Sequence, residues 1–569
     1  MSLTSFHKGS LFFIGKGVCM RRAILTGATM LFTAASLLSA CGNTGSKSQE
    51  STVKESATEK KESENTTESA TEAEKAEKKT DNSLLPKELK DFPEASEEEV
   101  KTYMSDNDEN TLLIDSRGEE YYSGWAEEGK TKGGHLSNAL LFSSRWLDCY
   151  YTEETPRKMY LDRAMKDQGI DKDKSVIVYD RGGEEAKNVA NYLALEGVKN
   201  IKIFHADKLL KDSDTITYQG YDHFLPVEIV KSVSDVKTGK AEKLSAAAEA
   251  VLGSDPSKIV LIDVAWGNMK ESTYLSEGHV PGAIHINTDC YERPRVYVPE
   301  KRSDYAKEWR LLSIEEFRDS LCPQYGINKD SIVILTGDTA EAHGRLGFML
   351  RTIGVKTYAM TGKLTAWRYA GYPLDKGEDS IVLPSAVDSF GSTDIPNPHE
   401  IIWTDEVKKI LAGEEEGQIV DNRAEKQWNG EDSGYFYHDL AGRIENTIWC
   451  LENDVENGQY FMNADATPRT KEELVNYMKK NGVDPEKPAI FFCGDSWGAA
   501  KIAYWCQAVG LDQVKEWGNG WIPWSNLGNE FIDHKGRKVH YDKYLDAVLD
   551  ENGKDVSDGV NILASKKKA

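Results

Sequence analysis

The stretch Gly278-His279-Val280-Pro281-Gly282-Ala283-Ile284 decides how this chain is read. It follows a short apolar run that closes on an aspartate, Leu261-Ile262-Asp263, and precedes a second apolar run, Ile332-Val333-Ile334-Leu335, that enters a polar turn at Thr336. Working outward, the same three elements recur on both sides. Upstream they are Leu112-Leu113-Ile114-Asp115, then Gly133-Gly134-His135-Leu136-Ser137-Asn138-Ala139, then Val176-Ile177-Val178-Tyr179 before Asp180. Downstream they are Ile419-Val420-Asp421, then Ala441-Gly442-Arg443-Ile444-Glu445-Asn446-Thr447-Ile448, then Ala489-Ile490-Phe491-Phe492 before Cys493. The turn residue lies 65, 73 and 72 positions after its aspartate. A spacing held that closely marks an internal repeat, which constrains the fold more than any single segment does.

Each apolar run has the length of a buried strand. After each turn comes a segment apolar at helical period that stops at a glycine before another strand: Gly197-Val198, Gly354-Val355 and Gly510-Leu511. The second and third copies add a glycine turn and a tryptophan, Gly362 to Trp367 and Gly518 to Trp524. Short buried strands alternating with helices predict an α/β fold, a parallel or mostly parallel sheet with helices on both faces.

In this order the elements resemble the rhodanese family, and the resemblance spans nearly everything from 95 to 530. It implies three tandem rhodanese-like domains at 93–225, 240–378 and 398–545, each a mostly parallel five-stranded sheet flanked by helices. The polar stretches near 226–245 and 376–400 read as linkers, and 546–569 as a C-terminal tail. In the family, a cysteine closing the third element takes sulfane sulfur and holds it as a persulfide. A strand-turn-helix suits that chemistry, because inward N–H groups and the positive helix end favour a thiolate and cradle anions.

The resemblance assigns Cys493 as nucleophile and Gly494, Asp495, Ser496, Trp497 and Gly498 as the substrate-binding loop. Asp421 and Arg423 match supporting positions near the site, and Arg443 is a third supporting candidate that takes the place of the family's histidine, with a pocket-lining or an exposed place open to it. Arg423 has two roles open to it, a cation for substrate or loop, or a salt bridge with Asp421 or Glu425. Asp180 and Thr336 replace the cysteine, so the first two modules are expected to lack sulfur chemistry and to serve packing or ligand binding. The loop also departs from the thiosulfate-handling type: it has no Arg or Lys, and Asp495 opposes both a dianionic donor and thiolate formation. Its Cys-Gly opening is closer to the mercaptopyruvate-handling type, matched only at Gly494 and Ser496. Trp497, Trp517 and Trp521 are expected in an aromatic pocket wall, with Trp524 in the core.

Two functions follow. One is a sulfurtransferase passing sulfur from a thiosulfate- or 3-mercaptopyruvate-type donor to a thiol or cyanide through a Cys493 persulfide. The other is a non-catalytic surface module binding a small sulfur compound, an anion or a partner protein. A phosphatase or arsenate reductase of the Cys-X5-Arg type needs arginine where Ala499 stands. The histidines are dispersed and the cysteines lack ligand spacing, so neither metal nor cofactor is expected, and His279 and His285 read as structural.

At the N-terminus, Arg21 and Arg22 precede an apolar run, Ala23 to Leu38, shorter than the ~20 residues of a membrane span. Leu38-Ser39-Ala40-Cys41 resembles the lipobox of bacterial lipoproteins, which implies a signal peptide over 1–41, acylation of Cys41 and an extracytoplasmic, membrane-anchored protein. Met20 stands directly before the two arginines and is an alternative start to Met1. Residues 42–92, almost all Ser, Thr, Glu, Lys and Ala, read as a solvated tether. A net charge of -24 argues against nucleic acid, and Lys566 to Lys568 read as a solvated end.

Overall fold

The computed structural model describes residues 84–106, 108–148, 154–292, 310–435, 438–454 and 458–557. Cys41, the tether up to residue 83, Cys149 and Lys566 to Lys568 lie outside these described residues. Three parallel sheets follow one another along the chain.

The first contains β1 (Thr111–Asp115), β2 (Leu140–Leu141), β3 (Ser175–Asp180) and β4 (Asn200–His205), in the order β2-β1-β3-β4. The middle sheet is built from β5 (Phe224–Leu225), β6 (Ile259–Ala265), β7 (Ile284–Asn287), β8 (Ile332–Thr336) and β9 (Lys356–Met360), ordered β5-β9-β8-β6-β7. The third repeats that topology. Its strands are β10 (Ile401–Ile402), β11 (Gln418–Asp421), β12 (Ile448–Trp449), β15 (Ala489–Phe492) and β16 (Val514–Trp517), ordered β10-β16-β15-β11-β12. Between β12 and β15 lies a small hairpin, β13 (Asn453–Asp454) and β14 (Gly458–Gln459). Strands such as β8 and β15 are buried along their whole length, which is why they read as continuous apolar runs instead of alternating ones.

The expected five strands are present in the middle and third sheets, and the first has four. Its fifth place is a single bridge between Glu94 and Ile203. Pro93 has no N–H to extend a ladder, and a helix already begins at Glu97.

The boundaries also move. Phe224–Leu225 pairs with β9 of the middle sheet, so the middle module begins before residue 225. The stretch from 226 is no linker: Val227–Lys237 is a helix that buries Val227, Ile229, Val230, Val233 and Ser234, while its charged residues stay at least partly exposed. The segment 376–400 runs along the middle module, with Phe390 buried and Val387 N–H bonded to the Pro323 carbonyl at 2.9 Å. Beyond residue 530, β17 (Phe531–Ile532), β18 (Lys538–Asp542) and β19 (Ala547–Asp550) form an antiparallel sheet, so the chain to 557 is no tail. At the other end Leu84, Leu85 and Phe92 pack on the core, which removes 84–92 from the expected tether.

Helices α1 (Glu185–Leu195), α2 (Ala340–Thr352) and α3 (Trp497–Ala508) follow the three turns. Helices α2 and α3 cross with glycine at the contact: a Cβ on Gly344 would lie 2.6 Å from the Ala500 carbonyl, and one on Gly347 2.9 Å from the Tyr504 ring. One continuous apolar core runs through residues of all three modules.

Candidate active site

Cys493 follows β15 directly and stands at the carboxyl end of a parallel sheet, where ligands of such sheets gather. It is 8% exposed. Four residues on, α3 begins, so the first N–H groups of a 12-residue helix and its positive end lie at the turn. The turn is tight by necessity. Ser496 caps α3 with φ at 68°, and a Cβ on Gly494 or Gly498 would collide with the Tyr435 hydroxyl or the Glu452 carboxylate. The loop's carbonyls are held from the far side: Trp521 N–H donates to Cys493 O at 2.9 Å and Ile522 N–H to Gly494 O at 2.8 Å. The Ser496 hydroxyl is buried and has no hydrogen-bond partner among the described residues.

Of the two roles open to Arg423, the structure shows the salt bridge with Asp421. Arg423 is fully buried, its Nε donates to Asp421 Oδ1 at 2.9 Å and one Nη to Asp421 Oδ2 at 2.5 Å and Gly442 O at 2.8 Å, and it lies 4.3 Å from the Trp521 ring centre. It ties strand β11 to the segment before β12. Arg117 makes the same bonds to Asp115 and Gly134 O in the first module. Arg443 lies over the Trp428 ring at 5.7 Å. The other modules stack a histidine on tyrosine instead, His135 on Tyr122 and His279 on Tyr274, with ring centres 3.7 Å apart. The expected aromatic wall is corrected too: Trp517 and Trp521 are fully buried and Trp524 nearly so, in the core formed with β17 to β19. Trp497 alone is half-buried beside the loop.

The turns lacking cysteine differ from each other. The Asp180 carboxylate bends into its own turn, accepting from Gly182 N–H at 2.7 Å and Ala186 N–H at 3.1 Å, with His205 Nδ1 at 3.1 Å. The first turn therefore already holds an anion. Thr336 donates its hydroxyl to Ile262 O at 3.1 Å. The described cysteines form no disulfide, and burial pushes the Cys450 thiol up to about 12 and that of Cys506 higher still.

Several charged residues at the site were missed in the sequence. Arg345 on α2 is fully buried; its Nε and one Nη donate to Glu292 Oε1 at 3.0 and 2.8 Å, the other Nη to Gly518 O at 2.9 Å and Glu516 Oε2 at 3.3 Å. Trp497 Nε1 donates to the same Glu292 oxygen at 2.9 Å. Burial raises the Glu516 carboxyl to about 7 against the pull of Arg345. Lys501 on α3 is buried as well, paired with Glu341 of α2 and with Glu452 at 2.7 Å, and it donates to Gln459 Oε1 at 2.7 Å. Burial would lower its pKa, but the two carboxylates hold it well above the usual lysine value. No local pattern announces these residues, because a charge at helical spacing ordinarily faces water.

The profile of the rhodanese-like domain family matches residues 96–206 and 246–370. A thiosulfate sulfurtransferase of Escherichia coli K12, YnjE, is 27% identical over 420 residues, covering 74% of this chain and 88% of that protein. The mitochondrial thiosulfate/3-mercaptopyruvate sulfurtransferase 1 of Arabidopsis thaliana is 23% identical over 325 residues, 51% of this chain and 80% of its own. Among solved structures, the anaerobic ergothioneine biosynthesis enzyme of Chlorobium limicola with trimethyl histidine superposes with a TM-score of 0.63 at 24% identity, over 77% of this chain and 97% of that one. An EanB variant bearing a cysteine persulfide, with ergothioneine, superposes with a TM-score of 0.62 at 23% identity, over 76% of this chain and 97% of that one. At that identity the likeness carries the fold.

Proposed function

Because this chain belongs to the rhodanese-like family of sulfurtransferases, we propose that it transfers sulfane sulfur from a small donor of thiosulfate or 3-mercaptopyruvate type to a thiol or cyanide through a persulfide on Cys493. One observation carries the reading: of the three strand-turn-helix units, only that of β15 and α3 places a sulfur at the turn. The Cys493 thiolate attacks the donor's transferable sulfur. A new S–S bond forms, and the electron pair of the broken bond leaves on sulfite or on the enolate of pyruvate, which then takes a proton. The acceptor attacks the outer sulfur and returns the thiolate, so each step is a nucleophilic displacement with no net oxidation. The half-buried Asp495 disfavours a dianion beside the thiol, so the singly charged mercaptopyruvate is the better fitting donor.

The test is the mass of the Cys493 peptide after the reduced, folded protein meets each donor separately. The expected result is a gain of one sulfur, about 32 Da, larger in yield with 3-mercaptopyruvate. An unchanged mass with both donors overturns the reading in favour of a non-catalytic binding module. On the same proposal the enzyme works outside the cytoplasm, held to the membrane by a lipid on Cys41. Cys41→Ala is then expected to shed protein into the medium or keep the leader attached, and unaltered membrane retention of a processed chain would sink the anchor.

A further inference from the structure

The middle module has Thr336 at the turn where the third has Cys493, yet its helix α2 delivers a buried arginine to the loop of the third. Through Glu292, Arg345 reaches the indole N–H of Trp497, the first residue of α3. Through the Gly518 carbonyl and Glu516 it holds the end of β16 and the residue that follows it. Two residues further, a Cβ on Gly520 would lie 2.8 to 2.9 Å from the carbonyls of Gly494 and Cys493, and Trp521 N–H bonds Cys493 O. One guanidinium thus grips both segments that bound the cysteine turn.

Its charge matters as much as its fork. Residues 493–498 contain no lysine or arginine, while Asp495, Glu292 and Glu516 bring three carboxyl groups to the neighbourhood. Arg345 is bonded to two of them and lies within electrostatic reach of Asp495. Without it, those carboxylates would oppose ionisation of the thiol. We propose that Arg345 is a positioning residue for Cys493, supplied by the middle module, which sets the shape of the turn and offsets the carboxylates around it. The proposal rests on Cys493 being the nucleophile, and it makes the middle module, whose turn carries Thr336 in place of a cysteine, a working half of the active site.

The experiment compares Arg345→Gln, Arg345→Lys and Trp497→Phe in the full-length protein. The rate of alkylation of Cys493 by iodoacetamide is followed against pH by peptide mass, and sulfur loading from 3-mercaptopyruvate is measured separately. Arg345→Gln is expected to move the alkylation midpoint up by roughly one pH unit and to cut loading at neutral pH about tenfold, the loss of thiolate such a shift entails. Arg345→Lys restores the midpoint part of the way, because it keeps the charge and loses the planar fork. Trp497→Phe removes only the indole donor and shifts the profile less, in the same direction. Should Arg345→Gln fail to fold, Trp497→Phe and Arg345→Lys decide. Alkylation profiles identical to the wild type in every folded variant overturn the proposal. A wild-type protein that loads no sulfur defeats the functional reading instead, while its alkylation profile still reports on Arg345.

Discussion

Serine at position 493 is expected to leave a folded protein whose sulfur transfer falls to background, a loss of at least ~10³-fold. The exchange replaces one buried atom by a smaller one of similar shape in a residue only 8% exposed, so stability changes by about 1 kcal/mol or less. Chemistry changes completely, since a hydroxyl oxygen at neutral pH neither attacks a sulfane sulfur nor stores one. Thermal unfolding of Cys493→Ser beside a turnover assay separates the two effects. Cys450→Ser and Cys506→Ser serve as controls, because burial keeps both thiols protonated and both lie in the core. Wild-type turnover in Cys493→Ser would defeat the assignment outright.

The largest loss of stability is expected at Lys501. It is a buried lysine on α3 bonded to Glu341 from α2 and to Glu452, whose other oxygen accepts from Asn422 Nδ2 at 2.7 Å. Lys501→Met removes the cation and leaves two carboxylates facing each other at the seam between modules. Breaking a buried pair by deleting one partner costs about 3–5 kcal/mol, because the remaining charge is left without compensation. Denaturant unfolding should show that loss. The triple variant Lys501→Met, Glu341→Gln, Glu452→Gln should recover much of it, since the penalty is that of stranded charge more than that of lost attraction. A single variant as stable as the wild type would mean that water reaches this seam.

What was legible in the sequence was whatever is chemically punctuated. Asp115, Asp263 and Asp421 close apolar runs, and the polar turn at 180, 336 or 493 closes another, so the repeat and its parallel sheets could be read directly. The phase of pairing could not. Asp115 pairs with Tyr179 and Asp421 with Phe492, each one residue before the turn position, whereas Asp263 pairs with Thr336 itself. An unbroken apolar run carries no mark of register. The loop around Cys493 was legible by position, but its electrostatics were not. Arg345 lies 53 residues from Glu292 and 171 from Glu516, and Trp497 lies 205 from Glu292. Only the packing of α2 against α3 brings them together. The tryptophans misled for a related reason. Trp517 and Trp521 flank a glycine turn as pocket residues do, but both are buried in a core shared with β17 to β19, and that sheet was hidden in a stretch rich in Lys and Asp.

The first turn has one more consequence. Its anion is attached to the chain, so the Asp180 carboxylate occupies the Gly182 and Ala186 amides at an effective concentration that no dissolved anion matches. A competitor in solution has to displace a tethered rival. A titration of this protein with a small anion is therefore expected to count at most two turns out of three.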